Sequence, residues 1–497
     1  MNNDRSVSAV VWVLVVGGVL GLWLWLAPYF WTNVLWGVRS ALFVLVPLAV
    51  LAVVVIGLAV LDEERGWSGA GCLATLIGIG GLAALGFWAF GYHSYAQARD
   101  YASSVHVVDQ QVPELGQRAP FPVAQAQARP NLGDAPGDLV NGTYQPQHDE
   151  FTSLVERRGW FSGYQVALTQ NIPLTGRGTG RTCEFAAEAD RRIGGWWWHN
   201  LGRLIGSQQR GVLYDAADVY GYCDGDTPKV VVPLVRQVGW LVVTERPAGV
   251  AVYDGKTGAV TFQDTAKGLP GNSYPLSLAK AQRESTHALG GFWDWVWNRA
   301  GWDTDEDETN SANNAEFALP TKDNRTVYTT LLTGRGSATS ISALSTVTTE
   351  AQGTELAPLT VHRLNPSWVS PGAIDSRIKA DYQDLPNWQN YKVLEVAPIS
   401  GDRWVASIGN DQNLLYRVQG TGNLQGDQAT CLYRADNSLI RCGSVADQNG
   451  NSVGTEYGTG QPDAGIPTDL GQLTDQQLAD LQRRVSEEIG RRLTGTG

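Results

Sequence analysis

A chain of 497 residues, 43% of them hydrophobic, has enough apolar material for several packed layers and too much for a disordered polymer. The net charge is −12, and the first hundred residues supply only −1 of it, with four Arg against five Asp and Glu. The remainder is therefore acidic and lacks the basic footprint that nucleic-acid binding needs, so no nucleic acid is expected as a partner.

Three apolar runs open the chain, at 7–31, 40–61 and 70–92. Each is long enough to cross a hydrocarbon core of about 30 Å at about 1.5 Å per residue. Trp31, Trp36, Trp67, Trp88 and Tyr92 lie near their ends, where amphipathic rings favour the headgroup region. The first run lacks a small-residue cleavage site and two further runs follow, so it reads as a span, not a signal peptide. Residues 1–100 are thus expected to form a three-helix transmembrane region, with membrane lipid as its partner.

Three crossings leave the N-terminus and the large remainder on opposite sides. Counting Arg5 and Arg65 against Arg39 and Arg99 gives a draw, so cysteine decides the orientation. Cys72 falls in the third run, and the remainder holds Cys183, Cys223, Cys431 and Cys442. Folding "CLYRADNSLIRC" about Asp436-Asn437 as a two-residue hairpin sets Cys431 opposite Cys442 and Tyr433 opposite Ile440. A disulfide there, with Cys183–Cys223 as the second pair, needs an oxidising compartment. The expected location is a cell membrane, multi-pass, with the large C-terminal domain extracytoplasmic.

Beyond the spans, residues 101–150 are rich in Pro, Gln and Ala and read as a flexible spacer. Residues 151–300 alternate strand patterns such as "PKVVVPLV" with helix patterns such as "SLAKAQRESTHAL", which predicts a first α+β lobe. An acidic loop at 301–316 leads to a second, β-rich lobe at 317–442, then a flexible linker at 443–467. Residues 468–497 contain a capping box, Thr474 with Gln477, followed by Leu478, Leu481, Val485 and Ile489 on one helical face. The fold class expected is a membrane-anchored α+β protein: three N-terminal transmembrane helices, a two-lobed β-rich extracytoplasmic region and a C-terminal amphipathic helix. Leu481 and Val485 of that helix are candidate contacts for a protein partner or for self-association.

Several segments imitate catalytic motifs. "SLAK" (277–280), "SAN" (311–313) and "KTG" (256–258) match the three elements of penicillin-binding proteins in the wrong order and within too short a stretch. Asp303, Asp305 and Asp307 have calcium-loop spacing, but Glu308 and Asn314 stand where that loop needs Gly and Glu. The six His are scattered, so no catalytic residue, metal site or cofactor is expected. "LTGRG" occurs at 174–178 and 332–336; a Gly-Arg-Gly turn can present amides and a guanidinium to an anion, and a plain surface loop fits it as well.

Two tryptophan clusters remain, each behind a Gly-Gly pair. Wound as a helix, 193–205 puts Trp197 and Trp198 on the apolar side with Leu201 and Ile205, leaving Trp196 off the stripe. In the second cluster, Trp293 and Trp297 share a face with Phe292 and Val296, and Trp295 projects away. Core packing, a partner interface and docking on the outer leaflet all fit such faces.

The strand–turn–strand "VAVYDGKTGAVTF" resembles the hairpin of PepSY-type extracytoplasmic domains. That resemblance implies a binding or inhibitory module. Together these features suggest a displayed binding or scaffolding domain in a bacterial or phage-encoded cell-envelope assembly. An envelope hydrolase, or an accessory subunit of a transport or secretion complex, is the alternative.

Overall fold

The computed structural model describes residues 12, 15–21, 28–65 and 70–444, except 110–111, 146–147, 174–176, 266–267, 305–316, 323–324, 337, 411 and 425–429. Residues Met1–Asp447 form one compact unit. The helix expected at 468–497, with Leu481 and Val485, lies outside the described residues.

Among the described residues two helices are long and apolar enough to cross a membrane, Thr32–Leu58 and Cys72–Ala102. The expected three-span arrangement is therefore seen only in part, since the first run is described as helix only at 12 and 15–21. Residues 28–31, assigned above to the first run, belong to the next helix, α1 (Pro28–Arg65). Pro28 at its first position suits helix initiation, and nothing in 32–39 breaks the winding. The third run is longer than expected too. Helix α2 (Ala70–Phe87) passes through a π-turn at Trp88–Tyr92 into α3 (His93–Ala102) without interruption.

Both long helices are fastened to the β-rich part. Arg39 donates to the carbonyls of Gly239 and Gln237, and Gln237 returns a bond to the Trp36 carbonyl. On α3, Asp100 pairs with Arg246 at 2.6 Å, Gln97 donates to the Val243 carbonyl, and Arg99 donates to the Ala288 carbonyl. The two helices also lock to each other: Trp88 Nε1 donates to the Phe43 carbonyl at 2.8 Å, and Phe43 stacks on His93.

The remaining helices are α4 (Phe121–Asn131), α5 (Leu201–Gln208), α6 (Leu276–Glu284), α7 (Phe292–Val296) and α8 (Pro371–Tyr382). Four sheets accompany them. Strands Asp138–Gln145, Glu150–Glu156, Tyr164–Asn171 and Thr179–Glu184 form one antiparallel meander; Tyr220–Asp224, Thr227–Val238, Thr244–Asp254 and Val260–Gln263 form another. A five-stranded meander runs from Lys392 to Cys442. In the six-stranded sheet, Val105–Val108 pairs parallel to Leu359–Trp368.

That parallel strand corrects the spacer expected at 101–150. Its proline and glutamine content hides the residues that anchor it. Val105, Phe121, Val123 and Tyr144 are buried in the same core cluster as Phe151, Val235, Leu332, Val361 and Leu394. Arg118 is buried against Glu395, with two bonds of 3.0 and 2.7 Å. The cluster joins residues from both expected lobes, so 151–300 and 317–442 are not separate bodies.

Candidate functional site

The two tryptophan clusters are not the amphipathic helices their spacing suggested. In the first, Gly194 adopts φ 76° and Trp197 φ 52°, which breaks the winding. A Cβ on Gly195 would meet the His199 carbonyl oxygen at 2.1 Å, so the chain folds back tightly and only 197–199 make a short 3-10 turn. Helix α5 starts afterwards, capped by Asn200, whose side chain accepts from the Arg203 amide. Trp196, Trp197 and Trp198 are all exposed. Trp196 packs edge-on against Trp160 and Phe161, also exposed, from the turn at 157–163, and Arg203 lies 3.9 Å over the Trp198 ring.

The second cluster inverts the expected faces. Phe292 docks inward, 5.6 Å from Phe87 and 5.5 Å from Tyr95, and Trp295 follows it onto Tyr95 at 6.0 Å. Trp293 and Trp297, assigned above to the same face as Phe292, are each 63% exposed. The periodicity was sound, but α7 is only five residues long, too short for a stripe to form.

A third element joins them that sequence reading passed over. The turn at 239–243 carries Trp240, 78% exposed, and Leu241. Leu241 lines a cleft with Pro47, Leu51, Val54, Ala84 and Trp88. Phe292 and Val296 line another with Gly86, Phe87 and Phe90. Both segments of the β-rich part thus rest on residues 84–91, where α2 runs into the π-turn. Phe90, at 91% exposure, projects between them. The only signal for this in the sequence was "GWLVV" following a strand pattern, which reads equally well as more strand.

Trp240, Leu241, Phe90, Trp293 and Trp297 thus form an exposed apolar collar beside the residues that pack on the helix pair.

The four cysteines beyond the helix pair lie in two pairs at disulfide distance, Cys183 with Cys223 and Cys431 with Cys442. The second hairpin differs in detail from the expected two-residue turn. Arg434 and Ser438 bond across a three-residue loop in which Asn437 takes φ 64°, and a register shift sets Tyr433 opposite Leu439 in place of Ile440.

The catalytic look-alikes resolve into structural roles. Asp254 accepts from the amides of Lys256 and Thr257 and so closes the KTG turn. Lys280 of "SLAK" pairs with Glu284, and Ser277 donates to buried Asp218 at 2.6 Å. Residues 311–313, and the acidic run from 305, lie outside the described residues. Among the described residues no group of three or more His, Cys, Asp and Glu converges on a metal-sized site.

Asp218 yields a pH prediction. Burial raises its carboxyl from 3.8 to about 6, against the opposing bonds from Ser277. The folded chain keeps this proton where the unfolded chain has lost it, so the contribution of Asp218 to stability is greatest below about pH 4 and declines as pH rises to about 6. The decline amounts to about 3 kcal/mol from this group. Asp218→Asn is expected to flatten the unfolding free energy across that window; an unchanged slope in denaturant titrations at pH 4, 5 and 6 refutes the assignment.

Compared with known proteins, this chain matches no family model, no curated protein and no solved structure, so the hairpin's resemblance to PepSY domains has no wider support.

Proposed function

We propose that this chain is a multi-pass membrane protein that holds a disulfide-containing scaffolding domain directly on the outer face of a cell membrane, within an envelope assembly. One observation carries the reading: Leu241 and Phe292 rest on span residues while Trp240, Phe90, Trp293 and Trp297 point outward around them. A domain held on a flexible spacer would have no reason to place indoles there. The cysteine pairs favour an oxidising compartment for this domain. The first apolar run supplies the third span, which puts the N-terminus inside. Trp160, Phe161 and Trp196–Trp198, with Arg203 beside them, are the partner-facing surface, since exposed Trp and Arg concentrate binding energy.

The test uses the full chain in nanodiscs whose acyl chains carry bromine, a contact quencher of indole. Tryptophan emission is expected to be quenched, and a Trp240→Phe, Trp293→Phe, Trp297→Phe variant should lose a large part of that quenching. Equal fractional quenching in parent and variant removes the collar from the bilayer. Protease added to intact spheroplasts should digest residues 101–444; protection until lysis overturns the outward display.

A further inference from the structure

The second "LTGRG" copy lands beside the collar. Arg335 follows the strand Thr326–Gly334 and lines the open cleft, about 520 Å³, that Phe87, Phe90, Trp295 and Val296 also line. A volume of that size suits an acyl chain or a small amphiphile. The cleft is therefore apolar on the side of the helix pair and cationic at Arg335.

The cation is incompletely paired. Arg335 Nε lies 3.6 Å from Asp303 Oδ1, and its Nη1 is buried with no hydrogen-bond partner among the described residues. His287 Nε2 is 3.5 Å from the same Asp303 oxygen. Burial, then the charge of Arg335, holds the His287 imidazole below its ordinary range, so it is neutral at pH 7 and adds no competing cation. A buried guanidinium edge without an acceptor is unfavourable.

We propose that this cleft binds one phospholipid of the surrounding bilayer, with an acyl chain along Phe87, Phe90 and Val296 and the phosphate paired with the Arg335 guanidinium where that side chain lines the cleft. The inference rests on the membrane-seated reading above. The bilayer is the source because the apolar half of the cleft is built from residues of the span Cys72–Ala102. A free anion would have no use for that half. Arginine suits the phosphate because its fork of donors keeps its charge at every physiological pH.

The experiment is native mass spectrometry of the full chain in mild detergent, titrated with phosphatidylglycerol. One lipid is expected to bind more tightly than the rest. Arg335→Gln should weaken that first binding about tenfold or more, the loss of one charge-assisted hydrogen bond. Val296→Asn should weaken it as well, through the apolar half. Identical first-lipid affinity in parent and Arg335→Gln overturns the proposal. So does displacement of the lipid by inorganic phosphate alone with Val296→Asn silent, because the site then serves a free anion. Should Arg335→Gln fail to fold, a photoreactive phosphatidylglycerol decides with the unaltered chain: crosslinks to 287–298 support the site, and crosslinks confined to other segments overturn it. Arg335→Gln leaves all three collar tryptophans in place, so bromolipid quenching reports on the seating separately from this site.

Discussion

Replacing Glu395 with leucine is expected to destabilise the fold by about 3–5 kcal/mol, read as a lower unfolding midpoint of the purified chain. Its carboxylate accepts both terminal nitrogens of Arg118, and the two side chains are 4% and 2% exposed. Arg417 approaches from the strand Asn413–Thr421, next but one in the same sheet, and donates to the Arg118 carbonyl at 3.0 Å and to the side chain of Gln117. Burial already holds the Arg417 guanidinium down at about 10, while Glu395 pulls it up. Removing the one carboxylate leaves two buried guanidinium groups facing each other without a counter-charge. A triple variant, Glu395→Leu with Arg118→Met and Arg417→Met, should recover most of the loss, because apolar replacements of similar volume remove the uncompensated charge. A triple variant as unstable as Glu395→Leu would assign the loss to packing and not to charge.

The second large effect belongs to Cys183 and Cys223. They sit on different sheets, in Thr179–Glu184 and Tyr220–Asp224, with a sequence separation of 40. Loop closure over that length stabilises by about 4 kcal/mol through the unfolded state. The bond also fixes two meanders that share the core of Leu154, Tyr164, Val230 and Tyr253. Cys431 and Cys442 differ: their separation is 11, and backbone pairing already closes the same hairpin. Replacing the first pair with serine is therefore expected to lower the unfolding midpoint far more than replacing the second. Equal effects, or a larger effect at 431 and 442, contradict this ordering.

Legibility followed the strength of local patterns. Long apolar runs, strand alternation and the Asp254 turn depend on neighbours in sequence, and these were readable. The hairpin register at Cys431 was readable to within one residue, because turn chemistry limits the options. Residues 101–131 were misread because composition averages over the few side chains that matter. Arg118 finds its partner 277 residues away, and no local pattern announces that. The tryptophan clusters failed for the opposite reason. Their helical spacing is real, but the positive φ at Gly194 and Trp197, and the brevity of α7, stop a helix from using it. Trp240 and Arg335 came together with the helix pair only in three dimensions.

The unbroken run from Cys72 to Ala102 has a mechanical meaning. Its 31 residues extend about 46 Å; in the proposed seating about 30 Å of that lies in hydrocarbon, so roughly a third is a rigid shaft inside the β-rich part. Ion pairs and backbone bonds at Asp100, Arg99 and Gln97 clamp that shaft, leaving no swivel between membrane and domain. Transmembrane helices answer a change in bilayer thickness by leaning. Here every degree of lean must rotate the whole domain with it, carrying the Trp196–Trp198 surface through an arc. On the proposed function, membrane thickness is thereby converted into the aim of the exposed tryptophan face.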